Sequence, residues 1–223
     1  MTNDDVKTGK RRYQAPRRAE QAAATRRTIL AAARDLFVQH GYVTTTVAEI
    51  ADQAQVSVDT VYATIGRKPV LLRALVETAL SGTDHEVPAI ERDYVTAIRA
   101  AGNVRDKLAT YADAITSIHQ RLAPIFLALR DAALQDPACA QLWTEIAQRR
   151  ARNMRDFAAD LRATGELRDD LTNDDAADII WSMNAVEYWV LLIHERHWTT
   201  NKFRQWLTDA WIRLLLQNPN RPT

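Results

Sequence analysis

Between Ser57 and Ala63 the chain places four hydrogen-bonding side chains, Ser57, Asp59, Thr60 and Tyr62, among the small apolar residues Val58 and Ala63, and two cations follow at Arg67 and Lys68. On one helix these side chains could read the edges of bases. Val58 and Ala63 suit thymine methyl groups, Thr60 suits a base edge or a phosphate, and Asp59 could accept from a cytosine amino group. Asp59 also lies at the helix start, where a carboxylate favours the local dipole. Bond-breaking chemistry has no comparable constellation: the chain lacks a phosphate-cradling glycine loop, a nucleophile elbow and a His-Glu-x-x-His motif. His194 and His197 are three apart around Glu195, but no third ligand is evident, so no metal, cofactor or enzyme activity is expected.

The elements that would position these residues follow from the flanking pattern. Thr46 and Glu49 form a capping box ahead of Val47, Ile50, Ala51 and Ala54 at helical spacing. Gln55-Val56-Ser57 breaks that run, and Ser57 can cap a second helix over Val58–Thr64. Two short helices joined by a three- to four-residue turn make a helix-turn-helix, whose second helix enters a DNA major groove. A longer helix is expected from about Ala22 to His40. Its stripe Ile29, Leu30, Ala33, Leu36 and Phe37 would pack on Ile50, Ala54, Val61 and Ile65. Gly41 ends that helix.

The run Thr25 to Ala33, together with Leu36-Phe37, Gly41-Tyr42, Thr45-Thr46-Val47, Ile50-Ala51, Val56-Ser57, Thr60-Val61-Tyr62 and Lys68 with Leu71-Leu72, resembles the TetR family of transcriptional regulators over about residues 22–80. The resemblance implies a homodimer on a palindromic double-stranded operator, repression rather than activation, and a C-terminal domain that controls DNA affinity through a small-molecule effector. It also implies that the Thr46 and Tyr62 hydroxyls and the Lys68 ammonium contact phosphates. Three departures stand out. Gln55 occupies a turn position often held by Gly, Ala63 and Thr64 replace residues often aromatic or His, and Arg67 replaces a common Ser or Asn cap, where it could instead add a phosphate contact.

Composition agrees with this frame. The chain has 223 residues, 47% hydrophobic and 26% charged, with 6 Gly and 7 Pro, which suits two modest all-α domains. Its net charge of +1 is uneven. Residues 1–80 hold 12 Lys and Arg against 8 Asp and Glu, leaving 17 against 20 in the rest, so the N-terminal third carries the sign that suits phosphate. Lys7, Lys10, Arg11, Arg12, Arg17 and Arg18 read as a flexible arm on DNA, because Gly9 and Pro16 discourage one helix through them. The single Cys139 suits a reducing cytoplasm, and no apolar run is long enough for a bilayer span or a secretory signal.

The expected organisation is therefore an arm over 1–21, a helix-turn-helix domain over 22–68, a linking helix over 69–80, a helical bundle over 81–217 for ligand binding and dimerisation, and a tail over 218–223. Pro124 is expected to divide a helical stretch from Val104 to Gln135, and one helix should run from Thr172–Asp175 to about Arg196. That helix is apolar on most sides, and with the last one it is expected to form a four-helix dimer interface. A ligand cavity with apolar walls and few polar groups is expected from Tyr111, His119, Phe126, Trp143, Trp181, Asn184, Glu187 and Tyr188, with Glu187 favouring a cation if it faces inward. The alternative is a helical ligand- or partner-binding protein without operator specificity.

Overall fold

The computed structural model describes residues 5–83, 85 and 87–217, with side chains from Arg17 onward. The expected tail over 218–223 and the side chains of Lys7, Lys10, Arg11 and Arg12 lie outside the described residues. The chain divides into two compact units between Leu75 and Val76, inside a helix.

In the first unit α1 runs Asp5–His40, α2 Val47–Gln53 and α3 Val58–Thr64, and α4, Lys68–Ser81, begins there. The helix α1 starts far ahead of Ala22 and continues through Gly9 and Pro16, which corrects the expectation of a flexible arm that these two residues keep out of one helix. Residues on its C-terminal side, Arg17 to Ala24, are nearly all strong helix formers. Their propensity favours one helix despite the missing Pro16 donor. The predicted stripe is the core: Ile29, Ala33, Phe37, Ile50, Ala54 and Val61 are buried, joined by Leu71 and Leu72 of α4, while Ile65 is half-buried. The turn between α2 and α3 closes with Gln55 at φ 55°, and the Val56 N–H reaches back 3.0 Å to the Ala51 carbonyl. This is the left-handed conformation that a Gly would adopt without a Cβ penalty.

The second unit contains α5 (Asp93–Ala100), α6 (Val104–Ala133), α7 (Pro137–Arg162), α8 (Asn173–Met183), α9 (Val186–Trp189) and α10 (Thr200–Leu215). The helix α6 packs against α5, α7 and α10, and α7 packs on α8. Two expectations need correction. Pro124 does not divide α6, which is continuous through it. Leu122, Ala123, Ile125, Phe126 and Leu129 are buried on both sides of the proline, and their packing holds the helix across the lost hydrogen bond. The expected helix to Arg196 is instead broken. It stops at Asn184, restarts at Val186, bends by 42° and ends in a π-helical turn over Val190–Glu195. His197, at φ 54°, terminates that turn in the left-handed region, and the Trp198 N–H bonds the Leu192 carbonyl at 2.9 Å. Among the described residues no single helix is long and apolar enough to cross a membrane.

Candidate functional site: a helix-turn-helix face and a bundle cavity

The outer face of α3 is built by its caps. The Ser57 Oγ accepts from the Thr60 N–H at 3.1 Å and lies 2.8 Å from the Thr60 Oγ1. With Val61 fully buried, Val58, Asp59, Tyr62 and Ala63 are left facing solvent, and Thr60 and Thr64 are partly covered. Tyr62 is 48% exposed. Arg67 is exposed beyond the end of the helix, and Arg17 and Arg18 are exposed on α1.

Two residues expected to reach phosphate are held by the protein itself. The Lys68 ammonium donates to the Tyr42 and Thr45 carbonyls, both at 2.7 Å, and lies 4.3 Å from the Tyr42 ring centroid. It ties the turn between α1 and α2 to the start of α4 with two of its three N–H donors. The Thr46 hydroxyl accepts from the Glu49 N–H at 3.2 Å and donates to the Glu49 carboxylate at 2.9 Å. The same carboxylate accepts from the Thr46 N–H at 2.7 Å, which completes the capping box. These bonds, the backbone one first, hold the Glu49 carboxyl below its ordinary pKa. Thr46 has one O–H, and Glu49 takes it.

The second unit encloses a cavity of about 570 Å³. Four of the expected residues line it: Tyr111, His119 and Phe126 on α6, and Asn184 at the break after α8. Four do not. Trp143 stands behind Phe126, with ring centroids 4.7 Å apart. Trp181 faces the Arg150 guanidinium at 5.0 Å, outside the lining. Glu187 and Tyr188 are exposed, because the 42° bend turns the segment after Asn184 away from the line of α8. A cation reading based on Glu187 loses its carboxylate.

Asn184 organises the polar end of the cavity. Its Nδ2 donates to the Tyr111 hydroxyl at 2.6 Å, its Oδ1 accepts from Arg150, and its backbone carbonyl lies 3.1 Å from the His119 Nε2. Arg150 also donates to the Trp181 carbonyl at 3.0 Å. Since a carbonyl only accepts, His119 carries its proton on Nε2, and its buried Nδ1 is left as an acceptor without a donor. Burial, then the Arg150 charge, pushes the His119 pKa down to about 3, so the ring is neutral near pH 7. Burial pushes the Tyr111 phenol up, which keeps its proton in place. Farther along the wall, Arg149 donates to the buried Glu77 Oε1 at 2.7 Å, and Glu77 Oε2 has no donor.

Arg150, Arg149, Glu77 and Met154 were not singled out in the sequence. A signal for Arg150 exists: it lies on the apolar stripe of α7, four residues from both Ile146 and Met154. Among the described residues no group of three or more His, Cys, Asp and Glu is placed to hold a metal.

The family profile described as "Bacterial regulatory proteins, tetR family" matches residues 29–75. No curated protein sequence matches the chain. Among solved structures, the SmeT–triclosan complex aligns with TM-score 0.68 at 18% identity, covering 88% of this chain and 93% of that one. NalD of Pseudomonas aeruginosa, the secondary repressor of the MexAB-OprM multidrug efflux pump, aligns with TM-score 0.66 at 16% identity, over 88% and 99% of the two chains. The fatty acid degradation regulator FadR of Bacillus halodurans gives TM-score 0.68 at 17% identity, over 84% and 94%. At these identities the likeness concerns the fold.

Proposed function

We propose that the chain, whose residues 29–75 match the tetR family profile, is a transcriptional repressor released from a palindromic operator by a small apolar or amphipathic effector. The observation that carries the reading is the division of α3 into a fully buried Val61 and an exposed face of Val58, Asp59, Tyr62 and Ala63, with Ser57 and Thr60 at its start. A short helix anchored through Val61 and its Ser57 cap, with Val58, Asp59, Tyr62 and Ala63 exposed, is suited to insertion in a major groove. Arg17, Arg18, Arg67, Tyr62 and Thr64 are the proposed backbone contacts, and the base-reading contacts are Val58, Asp59, Thr60 and Ala63. Thr46 and Lys68 support these residues from behind.

The effector is proposed to occupy the cavity at Asn184. Its walls are largely apolar; Tyr111, His119, Arg150 and Glu77 supply fixed polar groups, and Arg92, Arg99, Arg149, Asn153, Asp156 and Asp160 complete the polar part of the lining. The helix α4 supplies residues to both units, Lys68 at one end and Glu77 toward the other, so a ligand with different affinities for two positions of α4 would shift the population that fits DNA. A homodimer is proposed through the apolar surface left by the last elements, where Tyr188, Leu191 and Leu214 are exposed. A cytoplasmic location follows from the DNA target.

The test is selection from random duplexes at physiological salt, followed by sequencing of the bound fraction. A two-fold palindrome with half-sites about one helical turn apart is expected. Salt-sensitive binding without a motif would reject operator recognition and favour a helical ligand- or partner-binding protein.

A further inference from the structure

Arg150 is half-buried beside the cavity and forms no ion pair among the described residues, the exposed Glu187 acting on its charge only from a distance. The other buried charges of the unit are matched: Glu77 pairs with Arg149 at 2.7 Å, and Lys107, 4% exposed, pairs with Asp160 at 2.8 Å while also donating to the Ile98 carbonyl at 2.8 Å. Among the described residues Arg150 forms no salt bridge. Its two hydrogen bonds, to the Trp181 carbonyl and to Asn184 Oδ1, both use the same terminal nitrogen. The other terminal nitrogen and Nε keep their donors, and a guanidinium presents these in a planar fork that matches a carboxylate. Burial lowers the Arg150 pKa, and Tyr111 and then Glu187 oppose that shift without cancelling it.

A second donor lies in the same cluster. The Tyr111 hydroxyl accepts from Asn184 at 2.6 Å, and its own proton has only the Met154 sulfur, at 3.4 Å, to receive it. Thioether sulfur is a weak acceptor. Asn184 therefore holds a half-buried cation and a neutral O–H donor at one end of a largely apolar chamber. His119 is uncharged, Glu77 pairs with Arg149 through Oε1 and Asp160 pairs with Lys107; Glu77 Oε2 and the exposed Asp156 are the acidic oxygens left in the lining, and a cationic probe reads their weight.

We propose that the effector is an organic acid with an apolar body, whose planar anionic head accepts from the Arg150 guanidinium and the Tyr111 hydroxyl. This rests on the reading of the cavity as the effector site, but it concerns only what the cavity binds. Pairing would supply the counter-charge that Arg150 lacks, and the apolar walls would bury the body.

The experiment uses three planar probes of one shape and different charge: 4-butylbenzoate, 4-butylbenzamide and 4-butylbenzamidine. Their binding to the full chain, and to Arg150→Gln, Arg150→Lys and Tyr111→Phe, is measured by calorimetry without DNA at pH 7. The benzoate should bind about tenfold or more tighter than the amide, as expected for charge-assisted hydrogen bonds, and the amidine should bind weakest. In Arg150→Gln the benzoate preference should vanish while amide affinity stays within about threefold, and Arg150→Lys should keep part of it. Tyr111→Phe should weaken the benzoate more than the amide. Equal or tighter binding of the amide or amidine, an undiminished benzoate preference in Arg150→Gln, or binding of no probe would overturn the proposal. Separately, the benzoate is added to the selected operator complex. Tight benzoate binding that leaves DNA affinity unchanged would reject effector release while leaving the acid site standing.

Discussion

His119 illustrates how a single side chain links the cavity to stability. Its pKa falls from an ordinary 6.5 to about 3 in the folded protein, because burial first and the Arg150 charge second oppose protonation. Between those values the unfolded chain binds a proton that the folded one refuses, so stability falls as pH drops below 6.5 and levels off near 3. The slope from one such group is at most about 1.4 kcal/mol per pH unit. Urea denaturation at pH 7 and pH 5 should show a larger loss in the wild type than in His119→Gln, by up to about 2 kcal/mol. An equal loss in both would show that His119 is not held neutral. Gln55 offers a second test. An L-residue in the left-handed region costs about 1–2 kcal/mol, so Gln55→Gly should raise stability by roughly 0.5–1 kcal/mol after the added freedom of the unfolded chain, as read by the midpoint of chemical denaturation. That strain was legible in advance, because Gln55 sits between two capped helices where the chain must reverse. Lys68 was not. A cation after a recognition helix has an obvious partner in phosphate, but its reach to the Tyr42 and Thr45 carbonyls depends on a turn 23 and 26 residues earlier in the chain.

At the scale of elements, caps and periodicity gave reliable boundaries and breakers did not. Thr46, Ser57, Thr172 and Thr199 all cap helices with their hydroxyls, as their positions ahead of apolar runs suggest. Pro16 and Pro124 both lie within helices, because propensity in one case and packing in the other outweighs one lost hydrogen bond. The break at Asn184 has no Gly or Pro to announce it, and the residues around it read as unbroken apolar helix. Two of the four expected residues that miss the cavity, Glu187 and Tyr188, miss it for this reason, whereas Trp143 and Trp181 lie before the bend, the one packed on Phe126 and the other on Arg150. The continuity of α6 can be tested directly. Pro124→Ala restores an N–H that can bond the Gln120 carbonyl, and in an unbroken helix it should raise stability by about 1–3 kcal/mol in denaturant titration. A loss of stability would mean that the proline is a required hinge.

For the whole molecule, the apolar surface of the last elements carries the association argument. Tyr188, Leu191 and Leu214 are each more than a third exposed, and the Trp206 ring packs between Tyr188 at 5.6 Å and Trp198 at 6.1 Å beside them. The proposed dimer predicts that Leu191→Glu and Leu214→Glu together shift the protein from dimer to monomer in sedimentation velocity, and that operator affinity falls with dimer content. A double variant that stays dimeric would place the interface elsewhere.

The break at Asn184 also bears on how such a protein could be redesigned. One residue ends α8, turns the chain and presents both its amide and its backbone carbonyl to Tyr111, Arg150 and His119. The remaining lining is largely aliphatic and aromatic side chains such as Ile115, Leu122, Phe126 and Ile146. Anchor and wall are thus separate sets of residues. A sensor builder could resize the chamber by trading volume among the walls, at about 1–3 kcal/mol for each poorly fitted swap, while leaving the polar end and the helix geometry untouched. Asn184 itself offers no such latitude, since a replacement would have to reproduce a helix stop, a donor and an acceptor at one position.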